Sequence, residues 1–190
     1  SNYSEDVLSW HIYLAGSIRD GVAEDIEWRE RAVVKLEDVA RLLNPLAGKQ
    51  FDAATGHWSM YSGTNPDSKY IVQADFWSVD RSDIIIFDFR SLIAKYPSIG
   101  TLVEFGRSTI RSIMRFAIIP EEYKGHNNLQ HFAGLHPFLA ENCAQIFHGP
   151  DAAVDFTRNY CIATTQNARY GNHAWRFWKI SFYLQGFTRT

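Results

Sequence analysis

At 190 residues, with 46% hydrophobic and 21% charged positions, the chain is sized and composed for one globular domain with a full core. A net charge of -2 argues against a nucleic-acid polymer as partner, and no apolar run approaches the length of a membrane span. Two cysteines, Cys143 and Cys161, are too few for a disulfide framework and fit no zinc spacing. The expectation is a reduced, cytoplasmic setting with no metal and no cofactor. The acidic opening "SNYSEDVLSW" does not read as a signal peptide.

Residues 11–16, "HIYLAG", are short, apolar and end in glycine, which predicts a buried parallel strand. The loop "SIRDG" leads to a helical pattern from Glu24 to Val39, with Ile26, Val33, Leu36 and Ala40 near one face. "ARLLNP", residues 40–45, reads as a second strand stopped by Pro45. Residues 46–69 are polar and too long for a simple connection, so a functional loop is expected there. A helix is predicted from Tyr70 to Arg81, and the clearest strand, "DIIIFDF", over 83–89. Pro97 precedes a helix opened by "SIGTLVEFG". "RFAIIP" (115–120) is the fourth strand, followed by the polar loop "EEYKGHNN" and a helix over Leu135 to Glu141. "AQIFHG" gives a fifth strand and "DAAVDFTRNY" a closing helix. Residues 161–190 form an extension whose aromatic stretch, "NHAWRFWKISFYLQGF", has no clean period and suits a cover for the core or a dimer contact. No repeat or second domain is visible: residues 1–190 read as one domain with a core over about 10–160.

Strands alternating with helices predict a flavodoxin-like, doubly wound five-stranded parallel sheet of order 2-1-3-4-5. Ligands of such sheets bind beyond the C-terminal ends of strands one and three, where the order reverses. "GSIRDG" and "SIGTLVEFG" would face each other there. Gly16 allows a tight turn and close approach of a ligand, while Ser17 and Arg19 offer a hydroxyl and a cationic fork. Ser98, Gly100 and Thr101 stand at a helix start, where anions are favoured. Each serine alone also suits a helix cap. Glu104 could be a solvated residue of that helix or a nucleophile at the sheet's mouth. Asp75 could assist a leaving group or lie on a helix surface. Asp88 could line the crevice, Asp83 suits a bond to backbone, and Tyr13 could steady Glu104 or pack in the core. His57 reads as solvent-facing, and the dinucleotide, phosphate-loop and GxSxG patterns are absent.

"IYLAGSIRDG", "ADFWSVDRSDIIIFDF" and "SIGTLVEFGRS" together resemble the nucleoside 2-deoxyribosyltransferase superfamily. The resemblance covers about residues 10–160. It implies cleavage of an N-glycosidic bond, with Glu104 as nucleophile at the anomeric carbon, Asp75 at the base and Tyr13 orienting Glu104. Gly16–Ser17–Ile18–Arg19 together with Ser98 resembles the branch that cleaves deoxynucleoside 5′-monophosphates, whereas transferases on free nucleosides usually carry Asp at the Ser98 position. The resemblance further implies a homodimer or higher homo-oligomer, with Asn127, Asn128 or His136 reaching a neighbour. The competing expectations are base exchange on free deoxynucleosides, a nucleotide-binding sensor without catalysis, and an FMN binder of the same fold.

Overall fold

The computed structural model describes residues 10–19, 22–47, 49–52, 57–60, 68–93, 98–120 and 135–170. Five parallel strands form the main sheet: β1 (Trp10–Gly16), β2 (Ala40–Leu43), β5 (Ile84–Asp88), β6 (Met114–Ile119) and β7 (Gln145–His148), in the order β2-β1-β5-β6-β7. This is the predicted 2-1-3-4-5 winding. The register pairs Tyr13 with Leu43 and Ile85, and sets Gly16 opposite Asp88.

Side chains alternate across a strand, so each face takes every second residue. Ile12, Leu14, Ile84, Ile86, Phe116 and Ile118 lie on the face packed by α1 (Glu24–Leu36) and α5 (Pro150–Tyr170). Tyr13, Ala15, Ile85, Phe87, Ala117 and Ile119 form the other core. That second face carries α2 (Ser68–Arg81) and α3 (Ile99–Thr109). Every residue of β5 is buried, the continuous apolar run expected of a central parallel strand. Burial of each of its three isoleucines is worth about 1.5–3 kcal/mol. Phe105 of α3 meets Phe87 and Phe89 edge-on, with centroids 5.0 and 5.5 Å apart. Those contacts seat α3 against the end of β5 and set the position of its preceding residue, Glu104.

Several boundaries differ from the sequence reading. The stretch 46–69, expected to be loop, contains an antiparallel pair, β3 (Lys49–Asp52) and β4 (His57–Met60), with Lys49 opposite Met60. Each strand has only four residues, too few for alternation to stand out against its polar composition. α1 ends at Leu36 rather than Val39, because the chain must turn before β2 begins at Ala40. The helix expected over 135–141 is the short α4 (Pro137–Ala140), with His136 as its N-cap. The closing helix runs to Tyr170, and Cys161, placed at the start of the extension, is fully buried in the core. The aromatic stretch 172–187, Asn127 and Asn128 lie outside the described residues. No helix among the described residues is long and apolar enough to cross a membrane.

Candidate active site

Tyr13 projects from the middle of β1 onto the α2/α3 face, and Glu104 descends from α3 to meet it. The Tyr13 hydroxyl donates to Glu104 Oε1 at 2.8 Å in a buried contact. Glu104 is only 7% exposed, and burial pushes its carboxyl up to about 7. The hydrogen bond from Tyr13 works against that rise, the nearby Asp75 adds to it, and Arg29 and Lys49 oppose it. Asp75, on α2, is also raised by burial, with Lys49 and then Tyr13 pulling it down. Burial, and then the two carboxylates, hold the Tyr13 phenol well above its usual value, so it remains a donor. Two carboxyls and a phenol therefore share one half-dry space.

The turn after β1 is organised from beneath by Arg29. This guanidinium, fully buried in α1, donates to Leu14 O at 3.1 Å, Gly16 O at 2.9 Å and Ser17 O at 3.3 Å, and also to Asp25 O. Gly16 has φ +149°, and a Cβ there would stand 2.7 Å from Asp88 Cβ and 3.1 Å from Arg29 Nη2. The glycine therefore makes room for its neighbours in the fold. Arg19 closes a two-pronged pair with Asp25, Nε at 2.8 Å and Nη2 at 2.7 Å, and its own backbone N–H bonds the same carboxylate. Asp88 falls on the α1 side of β5 by strand alternation. There it is clasped by Arg90 at 2.8 Å, which also reaches Glu24 at 3.2 Å. Neither Arg19 nor Asp88 is among the residues that line the cavity described next.

A cavity of about 270 Å³ opens over the C-terminal end of β1. The structure brings together on its walls Tyr13, Gly16, Ser17, Ile18, Asp75, Ser98, Gly100, Thr101 and Glu104. It adds Pro45, Lys49 and Ile71, which sequence reasoning did not single out as site residues. Ser98 caps α3: its Oγ accepts from Thr101 N at 3.3 Å and from Thr101 Oγ1 at 2.8 Å. Ser17 Oγ bonds Ser91 Oγ at 2.6 Å. Asp83 accepts from the His11 backbone N–H at 2.8 Å, far from this cavity, and His136 accepts from Phe138 N at 3.3 Å. A larger hollow of about 590 Å³ lies at the opposite end of the strands, lined by Asp83, Arg115 and Cys143 among others. Two of its polar groups are already engaged: Arg115 bonds three backbone carbonyls, and the Cys143 thiol, pushed up to about 12 by burial, bonds Leu139 O. Among the described residues no cluster of three or more side chains is arranged to hold a metal.

A doubly wound α/β protein with a buried and a half-buried carboxyl at its switch point is the class that fold and cavity define. No family model matches the chain, and neither does any curated protein. Solved structures do. A conserved protein from Enterococcus faecalis matches at TM-score 0.54 and 16% identity, over 77% of this chain and 95% of that one. A 2-deoxyribosyltransferase from Bacillus psychrosaccharolyticus matches at 0.51 and 16%, over 76% and 90%. A CMP N-glycosidase from Clostridium botulinum matches at 0.47 and 13%, over 79% and 98%. The first two likenesses show a shared flavodoxin-like fold.

Proposed function

We propose that the protein is an enzyme that cleaves the N-glycosidic bond of a (2′-deoxy)nucleoside 5′-monophosphate. The observation that carries this reading is the buried Tyr13–Glu104 hydrogen bond on the wall of the switch-point cavity. Glu104 in its ionised form attacks C1′. A C1′–O bond forms as the C1′–N bond breaks, and the electron pair leaves with the base. Asp75, whose burial makes it hold a proton to higher pH, supplies that proton to the base. Water then attacks C1′, Glu104 leaves as carboxylate, and the proton of the water returns to Asp75. The sum is nucleotide plus water to free base plus sugar 5-phosphate.

The start of α3, with the Ser98 and Thr101 hydroxyls on the cavity wall, and the turn at Ser17 and Ile18 support a phosphate site. An aspartate in place of Ser98 would repel that phosphate. Arg19 acts from the rim by keeping Asp25 neutralised and the turn in shape. A single domain working as a homodimer fits the exposed apolar stripe of α3, Ile99, Leu102, Val103 and Ile110. A cytoplasmic setting fits two free thiols.

Chromatography of nucleoside 5′-monophosphates and of free nucleosides, each with and without a second base, tests the reading. Release of free base from monophosphates is expected. Glu104→Gln should lower it by about 10⁶-fold while nucleotide still binds, the size of loss seen when a nucleophile is removed from an enzyme. Base exchange on free nucleosides would instead make the protein a transferase. Tight nucleotide binding without product would make it a sensor, and full activity of Glu104→Gln would remove Glu104 from the mechanism.

A further inference from the structure

Lys49 opens β3, in the stretch whose composition reads as loop, and reaches the cavity wall. Among the described residues it is the one cationic side chain on that wall, and its ammonium makes no hydrogen bond or ion pair with any of them. The other cations nearby are committed: Arg29 to four carbonyls, Arg19 to Asp25, and Arg90 to Asp88 and Glu24. Lys49 is close enough to Asp75 and Glu104 to act on both carboxyls, yet closes a salt bridge with neither. A charge held in this way faces the space a ligand would occupy.

The walls of the cavity differ in chemistry. On one side are the start of α3, with Ser98, Gly100 and Thr101, and the turn at Ser17 and Ile18. These are hydroxyls and backbone amides, suited to an anion. The segment after β2, with the start of β3, and the first half and middle of α2 contribute Pro45, Lys49, Ile71 and Asp75, two apolar surfaces and two charges. A nucleotide carries its phosphate at one end and its base at the other, with C1′ between them. If the phosphate took the first wall, the proposed reaction would put C1′ at Glu104, which lines the same cavity with Tyr13. The flat ring then rests against Pro45 and Ile71, with Lys49 and Asp75 at its edge.

We propose that the Lys49 ammonium contacts the departing base and stabilises the electron pair that the base carries away from C1′. This rests on the glycosidic reading above and adds a residue to it. As the C1′–N bond breaks, negative charge spreads over the ring nitrogens and carbonyl oxygens of the base. A cation donating a hydrogen bond there gains strength as the transition state is reached, which is the condition for raising rate rather than only affinity. Lys49 keeps its proton throughout. The proton that ends on the base comes from Asp75, and water restores it.

The test is leaving-group dependence. Deoxynucleoside 5′-monophosphates whose free bases differ in N–H acidity serve as probes, in a pyrimidine series (cytosine, uracil, 5-fluorouracil) and a purine series (adenine, hypoxanthine, xanthine). Lys49→Met is expected to lower kcat by about 10²-fold for the least acidic base and only a few-fold for the most acidic, as when one preorganised donor is removed from a developing charge. Lys49→Arg should restore most of the loss, and nucleotide binding by the Met variant checks that its cavity is intact. An equal loss across each series would overturn the proposal. So would a raised KM with kcat unchanged across each series, which would place Lys49 at the phosphate. If Lys49→Arg behaves like Lys49→Met although both bind nucleotide, the charge is not what matters and the proposal also fails. Absence of base release by the unmodified protein from every probe is a separate result: it would overturn the glycosidic reading itself.

Discussion

At the residue scale, the site turns on one buried carboxyl and the phenol that holds it. In the proposed mechanism Glu104 must be ionised to attack, and burial has moved its titration up to about 7. Activity should therefore rise as pH increases through about 7, read as the ascending limb of kcat/KM. The Tyr13 hydrogen bond favours the ionised form, so its removal raises the Glu104 pKa further. Tyr13→Phe is expected to shift the limb to higher pH and to cut kcat/KM at pH 6 by about tenfold, the equivalent of one charge-assisted hydrogen bond. A limb that stays in place would mean that Tyr13 serves packing alone. Glu104, Ser98 and Gly16 stood out in the sequence because each sits beside a strand end or helix start, where few residue types fit. Arg29 did not, since "EWRERAV" reads as a charged helix surface. Only the fold shows that this one guanidinium turns inward to bind carbonyls of the β1 turn.

At the element scale, the turn after β1 depends on two mutual fits. Gly16 lies against Asp88, and Asp88 is in turn held by Arg90. Gly16→Ala is expected to destabilise the protein by about 2–4 kcal/mol, through overpacking and a backbone conformation that L residues rarely adopt. Thermal denaturation would measure it, and a change below about 0.5 kcal/mol, the range of ordinary surface substitutions, would mean that the turn relaxes freely. The five sheet strands were legible because each is a dense apolar run bounded by polar residues. The β3–β4 pair was not. Its strands are short, and the pairing between Lys49 and Met60 or between Asp52 and His57 leaves no trace in composition. Lys49 was missed with it, for a lysine in a polar stretch carries no sign of the wall it reaches.

At the scale of the whole molecule, α3 and its C-cap carry an exposed apolar surface among the described residues. Ile99, Val103 and Ile110 are 74%, 49% and 82% exposed and recur at helical spacing along α3, with Leu102 beside them. Gly106 falls within the same stripe, and an added Cβ there would meet nothing. A neighbouring helix could approach closely along this line. Val103→Glu is expected to lower the oligomeric state, measured by analytical ultracentrifugation, while the monomer stays folded. If the unmodified protein sediments as a monomer, the stripe is not a self-association surface. The glycosidic reading places the nucleophile on the inner side of this same helix, so assembly and activity would share one element.

Arg29 has an effect on the side of the turn it does not touch. A trans peptide is planar, with its oxygen and hydrogen pointing in opposite directions. By drawing the oxygens of Gly16 and Ser17 down towards itself, the guanidinium turns the hydrogens of the next two amides, those of Ser17 and Ile18, the other way. An arriving anion would thus meet N–H dipoles rather than carbonyl lone pairs, although the cation that aligned them lies below, sealed from solvent. The side chain acts on the ligand's end of the cavity by setting the polarity of two peptide planes, with no contact of its own.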